Sequence, residues 1–275
     1  MVKIENLSFA YKKKNLIFDN VSFEMKSGIY GLLGENGVGK STLLHIISGL
    51  RFATSGTCKV HEYDSYKRQP QMLEKLFFLP EEFDAPAMSP NKFAKVNSVF
   101  YPNFSDEQFQ SYLKEFNVDP NQKMTEMSLG QRKKSMISFT LAVNTPLTLL
   151  DEPTNGLDIP SKAIFRRLLA SVADEDKCII VSTHQVRDLE NIIDPIIILD
   201  RNEVLVNNSV EEITAKLKFN CTSAPLPNAL YSEPTMQGHI SVTPNFDNEE
   251  STINIEALFN AAVRDKAQFK ELFNI

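Results

Sequence analysis

One stretch constrains this chain more than any other: Gly34-Glu35-Asn36-Gly37-Val38-Gly39-Lys40-Ser41-Thr42. It fits the pattern G-x-x-x-x-G-K-[ST], with Gly34, Gly39, Lys40 and Ser41 at the defining places. Glycines let backbone N–H groups turn toward the oxygens of a polyphosphate with no Cβ in the way. A lysine at this place reaches the outer phosphates, and the serine hydroxyl is a ligand for Mg²⁺. The motif requires a strand before it and a helix after it. The apolar run Gly28–Leu33 and the helical pattern Ser41–Ile47 supply both. A helix N-terminus then adds its positive dipole end to the site. Glycine usage argues against a chance match. The chain has 10 glycines in 275 residues, well below the usual share of about 7%. Six of them (Gly28, Gly31, Gly34, Gly37, Gly39 and Gly49) fall in this one region.

The length suits one large domain with room for a small appendage. A hydrophobic fraction of 42% with 23% charged residues is that of an ordinary globular chain. The formal net charge of −6 gives no footprint for nucleic acid. No apolar run reaches the roughly 20 residues of a membrane span, and the charged, alternating N-terminus does not read as a signal peptide. Three scattered cysteines, Cys58, Cys178 and Cys221, suit a reducing compartment and buried thiols.

Taken in order, Val2–Phe9 and Phe18–Met25 alternate in polarity and predict an antiparallel β layer ahead of the loop, joined by a basic turn at Lys12-Lys13-Lys14. Tyr11 is open to two readings, a stacking platform for a flat base or a plain strand-end tyrosine. Gly56–Val60 and Leu76–Pro80 read as strands. Glu81, just past the second, is either a carboxylate near the phosphates or a solvated turn. From 84 to 146 the character turns helical, with Phe109, Leu113 and Phe116 on one face. Ser128 is a good N-cap for a helix Gly130–Val143 that buries Met136, Phe139, Thr140 and Val143, with Arg132, Lys133 and Lys134 read as a solvated face.

The apolar run Leu147–Leu150 ends in Asp151-Glu152. Adjacent strand residues face opposite ways, so one carboxylate is free to hold Mg²⁺ and the other to face attacking water. Cys178–Thr183 is a buried strand ending in His184, which is otherwise a capping or core histidine. Ile196–Asp200 is the last buried strand. Beyond about residue 219, Pro225, Pro227, Pro234 and Pro244 interrupt regular elements. His239–Thr243 reads as a short strand, and Ile255, Leu258, Phe259 and Ala262 as a helix face.

With these motifs in view, the chain resembles the nucleotide-binding subunit of an ATP-binding-cassette (ABC) transporter over about residues 1–215. The resemblance makes Gly34–Thr42 the phosphate loop and Leu147–Asp151 the Walker B strand. Glu152 becomes the catalytic carboxylate, Asn155–Asp158 the D-loop and His184 the switch histidine. Tyr11 takes the place of the family's adenine-stacking aromatic. Met127-Ser128-Leu129-Gly130-Gln131 resembles the signature LSGGQ, with Leu129 where the family has glycine, and Glu81 stands where the Q-loop glutamine is expected. The implied fold is α/β: a P-loop NTPase core with a parallel sheet, an N-terminal antiparallel β layer, a helical subdomain at about 84–146 and a small C-terminal appendage. The implied organisation is an ATP-binding domain over 1–218 and the appendage over 219–275.

The implied activity is ATP hydrolysis. Glu152 and His184 would be catalytic. Tyr11, Gly34, Glu35, Asn36, Gly37, Val38, Gly39, Lys40, Ser41, Thr42, Ser128, Gly130 and Gln131 would bind nucleotide. Ser41, Asp151 and Glu81 would face Mg²⁺. In this family the signature of one subunit closes over ATP held by another. A second copy or a homologous ATPase subunit is therefore expected as a partner, together with an integral-membrane permease and no nucleic acid. The segment Phe100–Phe104 looks like that of exporter-type cassettes serving separately encoded permeases, which implies a cytoplasmic protein on the inner face of the cell membrane. The alternative is a soluble ABC-type ATPase acting as a switch in translation or on DNA. Against it stand the acidic charge and the lack of a second cassette or a long coiled-coil insertion. A binding-only regulatory cassette is opposed by Glu152 and His184.

Overall fold

The computed structural model describes residues 1–12, 15–236, 238–247 and 249–273. Lys13 and Lys14 of the expected basic turn lie outside the described residues. The N-terminal alternation becomes two long antiparallel strands, β1 (Val2–Lys12) and β2 (Asn15–Met25). β3 (Gly28–Leu33) then enters a second sheet and feeds the glycine-rich loop and α1 (Lys40–Ile47). β4 (Ser55–Val60) and β5 (Tyr63–Asp64) complete the first sheet in the order β2-β1-β4-β5. A short helix, α2 (Pro70–Leu73), leads to β6 (Leu76–Leu79).

The middle of the chain is helical: α3 (Pro90–Asn97), α4 (Asp106–Glu115) and α5 (Leu129–Ala142). Serines cap all three through their side chains, Ser89, Ser105 and Ser128. Phe139 of α5 is the hub of this layer. Phe77, Phe93, Tyr101, Phe104 and Phe109 surround its ring at centroid distances of 5.0 to 6.4 Å. The edge-on and tilted geometries are those that aromatic quadrupoles favour. The second half of α5 is buried all round rather than on one side. It tolerates this because Ser135, Ser138 and Thr140 donate back to the carbonyls of Gln131, Lys134 and Met136.

β7 (Leu147–Asp151), α6 (Ile159–Val172), β8 (Cys178–Thr183), β9 (Ile196–Asp200) and β10 (Glu203–Asn208) follow. Every residue of β7, β8 and β9 is buried, as expected of parallel strands covered on both faces. The six-stranded sheet runs β10-β9-β3-β8-β7-β6, parallel except for β10. The carboxyl ends of β3, β8, β7 and β6 share one edge, where ligands of such sheets sit. The molecule is thus an α/β P-loop fold with an N-terminal antiparallel layer, in agreement with the sequence.

The C-terminal part holds more structure than the sequence suggests. After α7 (Val210–Lys216), strands β11 (Leu217–Thr222), β12 (Tyr231–Thr235) and β13 (Gly238–Pro244) form an antiparallel sheet in the order β11-β13-β12. Pro234 lies inside β12 rather than breaking it, because β12 is an edge strand on which a missing N–H is tolerated. α8 (Ile255–Arg264) and α9 (Lys266–Phe273) close the chain. Leu258, Ala261 and Phe269 share one apolar core with Ile198 of β9 and Leu205 of β10.

Cys58 and Cys178 are buried, but Cys221 on β11 is exposed, so the expectation of three buried thiols fails for one. Burial pushes the Cys58 thiol up to about 11 and the Cys178 thiol up to about 12. Thiolates are the reactive form. Iodoacetamide at neutral pH is therefore expected to label the native chain once, at Cys221, and three times after unfolding. Peptide mapping by mass spectrometry reads the sites, and native labelling of Cys178 would contradict the packing of β8.

Candidate active site

Lys40 opens α1 and is 6% exposed. Its Nζ donates to the carbonyl oxygens of Gly34 at 2.8 Å and Glu35 at 3.2 Å, so the side chain folds back across the loop it belongs to. Burial pulls this ammonium below the usual lysine range. The charges of Glu152, Asp151 and Glu81 oppose that pull. Gly39, the N-cap, sits at φ 114°, and a Cβ there would come within 2.6 Å of Ile17 Cγ2 and 2.9 Å of Phe18 Cζ. Conformation and space both exclude a side chain. No side chain caps α1, so its first amides keep free donors. That arrangement fits a phosphate group.

The next groups come from the ends of β7 and β8. Asp151 and Ser182 are register partners, and the Ser182 hydroxyl donates to Asp151 Oδ1 at 2.5 Å. Glu152 lies beyond the strand with φ 44°. A left-handed turn, rather than strand alternation, therefore sets its direction. Such a backbone in a non-glycine residue costs about 1–3 kcal/mol and persists only where the surroundings hold it. Here they do. The Glu152 N–H meets Ser182 Oγ at 3.0 Å and Ser182 O at 3.2 Å. The Glu152 carbonyl accepts from Lys133 Nζ at 2.8 Å and from the Asn155 N–H at 3.2 Å. The carboxylate, 4% exposed, lies with Oε1 at 2.9 Å from His184 Nδ1 and 3.9 Å from Lys40 Nζ. The His184 N–H reaches Oε2 at 3.4 Å.

A cavity of about 450 Å³ gathers Tyr11, Asn36, Gly37, Gly39, Lys40, Ser41, Thr42, Glu81, Glu152 and His184. Most of the expected site residues thus converge. Tyr11 stands at its rim with its hydroxyl 2.9 Å from Thr42 Oγ1, and the Arg51 guanidinium covers one ring face at 4.7 Å. Glu81 Oε1 accepts from Asn155 Nδ2 at 2.8 Å. Gly34, Glu35, Val38 and Asp151 are not among the lining residues, and neither are Ser128, Gly130 and Gln131. Ser128 Oγ accepts from the Gln131 N–H, and Gln131 Oε1 accepts from the Ser128 N–H, a closed capping box at the start of α5. Leu129 beside them is 65% exposed.

Sequence reasoning missed three residues. Ser182 was detectable only through the register that sets it opposite Asp151. Arg51 lies far along the chain from Tyr11 and carries no local signal. Lys133 was misread as solvated: it is 3% exposed and reaches the Glu152 backbone. Its helical phase was the missed signal, since Met136 and Ile137, three and four residues on, are both buried.

A family model described as ABC transporter matches residues 18–155. An uncharacterised ABC transporter ATP-binding protein of Methanocaldococcus jannaschii is 28% identical over 225 residues, covering 79% of this chain and 81% of that protein. The molybdate import ATP-binding protein MolC of Haemophilus influenzae is 31% identical over 206 residues, covering 73% and 79%. Among solved structures, the ATP-binding cassette MJ0796, a dimer in a post-hydrolysis state with ADP and phosphate, aligns with a TM-score of 0.67 at 26% identity. The alignment covers 76% of this chain and 99% of that one. On this fold, this motif set and these likenesses, the chain belongs to the ABC transporter family, as an ATP-binding cassette of its ATPase subunits.

Proposed function

We propose that this subunit hydrolyses ATP at sites shared between two cassettes and drives a separately encoded integral-membrane permease, in the export direction, from the inner face of the cell membrane. The observation that carries the reading is the convergence of Lys40, Ser41, Glu152 and His184 on one cavity. In it, Lys40 and the α1 amides hold the phosphates, and Tyr11 offers its half-exposed ring to the adenine. Glu152 accepts a proton from water, and His184 holds the carboxylate in place. Ser41, Asp151 and Glu81 are the residues that would hold Mg²⁺, which when bound neutralises phosphate charge as the terminal group departs. A hydroxyl and carboxylates beside a phosphate cradle suit this hard cation. Ser128, Gly130 and Gln131, outside the chain's own cavity, serve the ATP of the second subunit. The acidic net charge of −6 supports the exclusion of nucleic acid.

Export rests on the likeness of the Phe100–Phe104 segment to exporter-type cassettes. A groove of about 630 Å³, lined by Leu73, Phe77, Phe93, Val99, Phe100 and Tyr101, supports docking on a permease. Val99 and Phe100 are 74% and 66% exposed, and large exposed apolar patches mark interaction sites. Among the described residues no helix is long and apolar enough to cross a membrane. The double substitution Val99→Asp/Phe100→Asp is expected to release the subunit from washed membranes of cells that make both components. ATPase activity in solution should persist. A variant that stays membrane-bound at the wild-type level would argue that the groove does not receive the permease.

A further inference from the structure

Three basic residues follow the signature, and only one is hidden. Arg132 Nε donates to the Met127 carbonyl and Lys134 Nζ lies 3.5 Å from Asp158, both at the edge of α5. Lys133 turns inward. Its ammonium donates at 2.8 Å to a backbone carbonyl, that of Glu152, rather than to a carboxylate. Burying a lysine is costly unless its charge is compensated. Burial pulls this one below the usual lysine range, and Glu81, Glu152, Asp151 and Glu82 oppose the pull. The compensation is thus a field of nearby carboxylates, with the hydrogen bond aimed at a single peptide group.

That peptide group is the one whose conformation aims the catalytic carboxylate. Glu152 sits at φ 44°, and its N–H is fixed by Ser182. Its carbonyl is the other handle, shared by Lys133 and the Asn155 N–H. Asn155 in turn donates to Glu81. Glu81, Lys133 and Asn155 line a second cavity, of about 560 Å³, next to Leu129 and Gly156. Lys133 lies on the first turns of α5, which Ser128 caps, so its hydrogen bond links that helix to the Glu152 peptide.

We propose that Lys133 is a positioning residue for hydrolysis: by holding the Glu152 carbonyl it keeps the Glu152 carboxylate against His184, and it ties that placement to the signature helix. The proposal rests on Glu152 as the catalytic carboxylate, and its test separates the two. Steady-state and single-turnover hydrolysis of Mg-ATP are measured for K133M, K133R, E152Q and E152Q/K133M, with binding of a fluorescent ATP analogue and thermal melting as companions. K133M is expected to lower kcat about 10- to 100-fold, the scale of an ångström-size misplacement. ATP affinity should stay within about threefold, as for an interaction that matters only in the transition state. K133R keeps a donor and should recover most of the rate, which also covers the case in which K133M does not fold. In the E152Q background, K133M should change the residual rate less than about twofold, since residues acting as one unit are non-additive. Wild-type kcat in a folded K133M beside an inactive E152Q would overturn the proposal and leave the Glu152 reading standing. A full multiplicative loss in the double variant would overturn it in favour of a general structural role. Wild-type turnover in E152Q itself would instead remove the reading on which it rests.

Discussion

Lys40→Ala is expected to abolish ATP binding at ordinary concentrations. The wild-type ammonium is 6% exposed and already stripped of water. It is held against the Gly34 and Glu35 carbonyls, so the chain has met the cost of ordering it before nucleotide arrives. A bound triphosphate would bring several negative charges into the same cradle. Removing one partner of a buried, hydrogen-bonded charge pair typically costs 2–5 kcal/mol. At about 1.4 kcal/mol per factor of ten, that is roughly 30-fold to a few thousand-fold in affinity. The free α1 amides remain and are not enough, because they are neutral donors: their hydrogen bonds to the anionic oxygens add no net positive charge to offset the triphosphate. Isothermal titration with ATP measures the loss. The variant should stay folded, since Gly39, Phe18 and the strands around the loop are untouched, and circular-dichroism melting checks this. Unchanged ATP affinity in a folded Lys40→Ala protein would remove the phosphate-loop assignment.

The parts of this molecule that could be read from sequence are those in which local chemistry and tertiary structure make the same demand. β7, β8 and β9 are apolar end to end because both faces are covered, and their boundaries were visible as runs. The start of α5 was visible through Ser128, a strong N-cap residue, and the structure adds Gln131 as its reciprocal partner within one turn. The convergence of Lys40, Glu152 and His184 was inferred from motif order, and the parallel register supplies its geometry. What stayed hidden was set by partners distant in sequence. Nothing around Glu152 announces a left-handed backbone, because that turn is enforced by Ser182 and Lys133 from other elements. Lys133 was masked by its basic neighbours. Of the C-terminal sheet, β13 was visible as His239–Thr243, whereas β11 and β12 were masked by prolines and by half-buried residues with weak alternation.

Glu152→Gln is expected to stop hydrolysis and trap ATP. Hydrolysis requires water placed in line with the terminal phosphate and a group that takes up its proton. Glu152 meets the requirement: it is 4% exposed, its backbone is fixed on both sides, and its Oε1 is 2.9 Å from His184 Nδ1. Glutamine keeps the shape and still offers an amide oxygen to the ring, but it has no lone pair basic enough to take a proton. Loss of a general base costs about 10²–10⁴ in rate. Binding should survive, because the phosphates are held by Lys40 and the α1 amides rather than by Glu152. Intact ATP then remains between two cassettes, with Ser128 and Gly130 of the second subunit closed over it. Size-exclusion chromatography of the variant in Mg-ATP at low salt should show a dimer, and in ADP a monomer. A variant that turns over ATP near the wild-type rate would take Glu152 out of the chemistry. The base would then be sought in Glu81, the other carboxylate that lines the cavity. Its Oε1 is engaged by Asn155, so Glu81→Gln would be the variant to abolish turnover while preserving that contact.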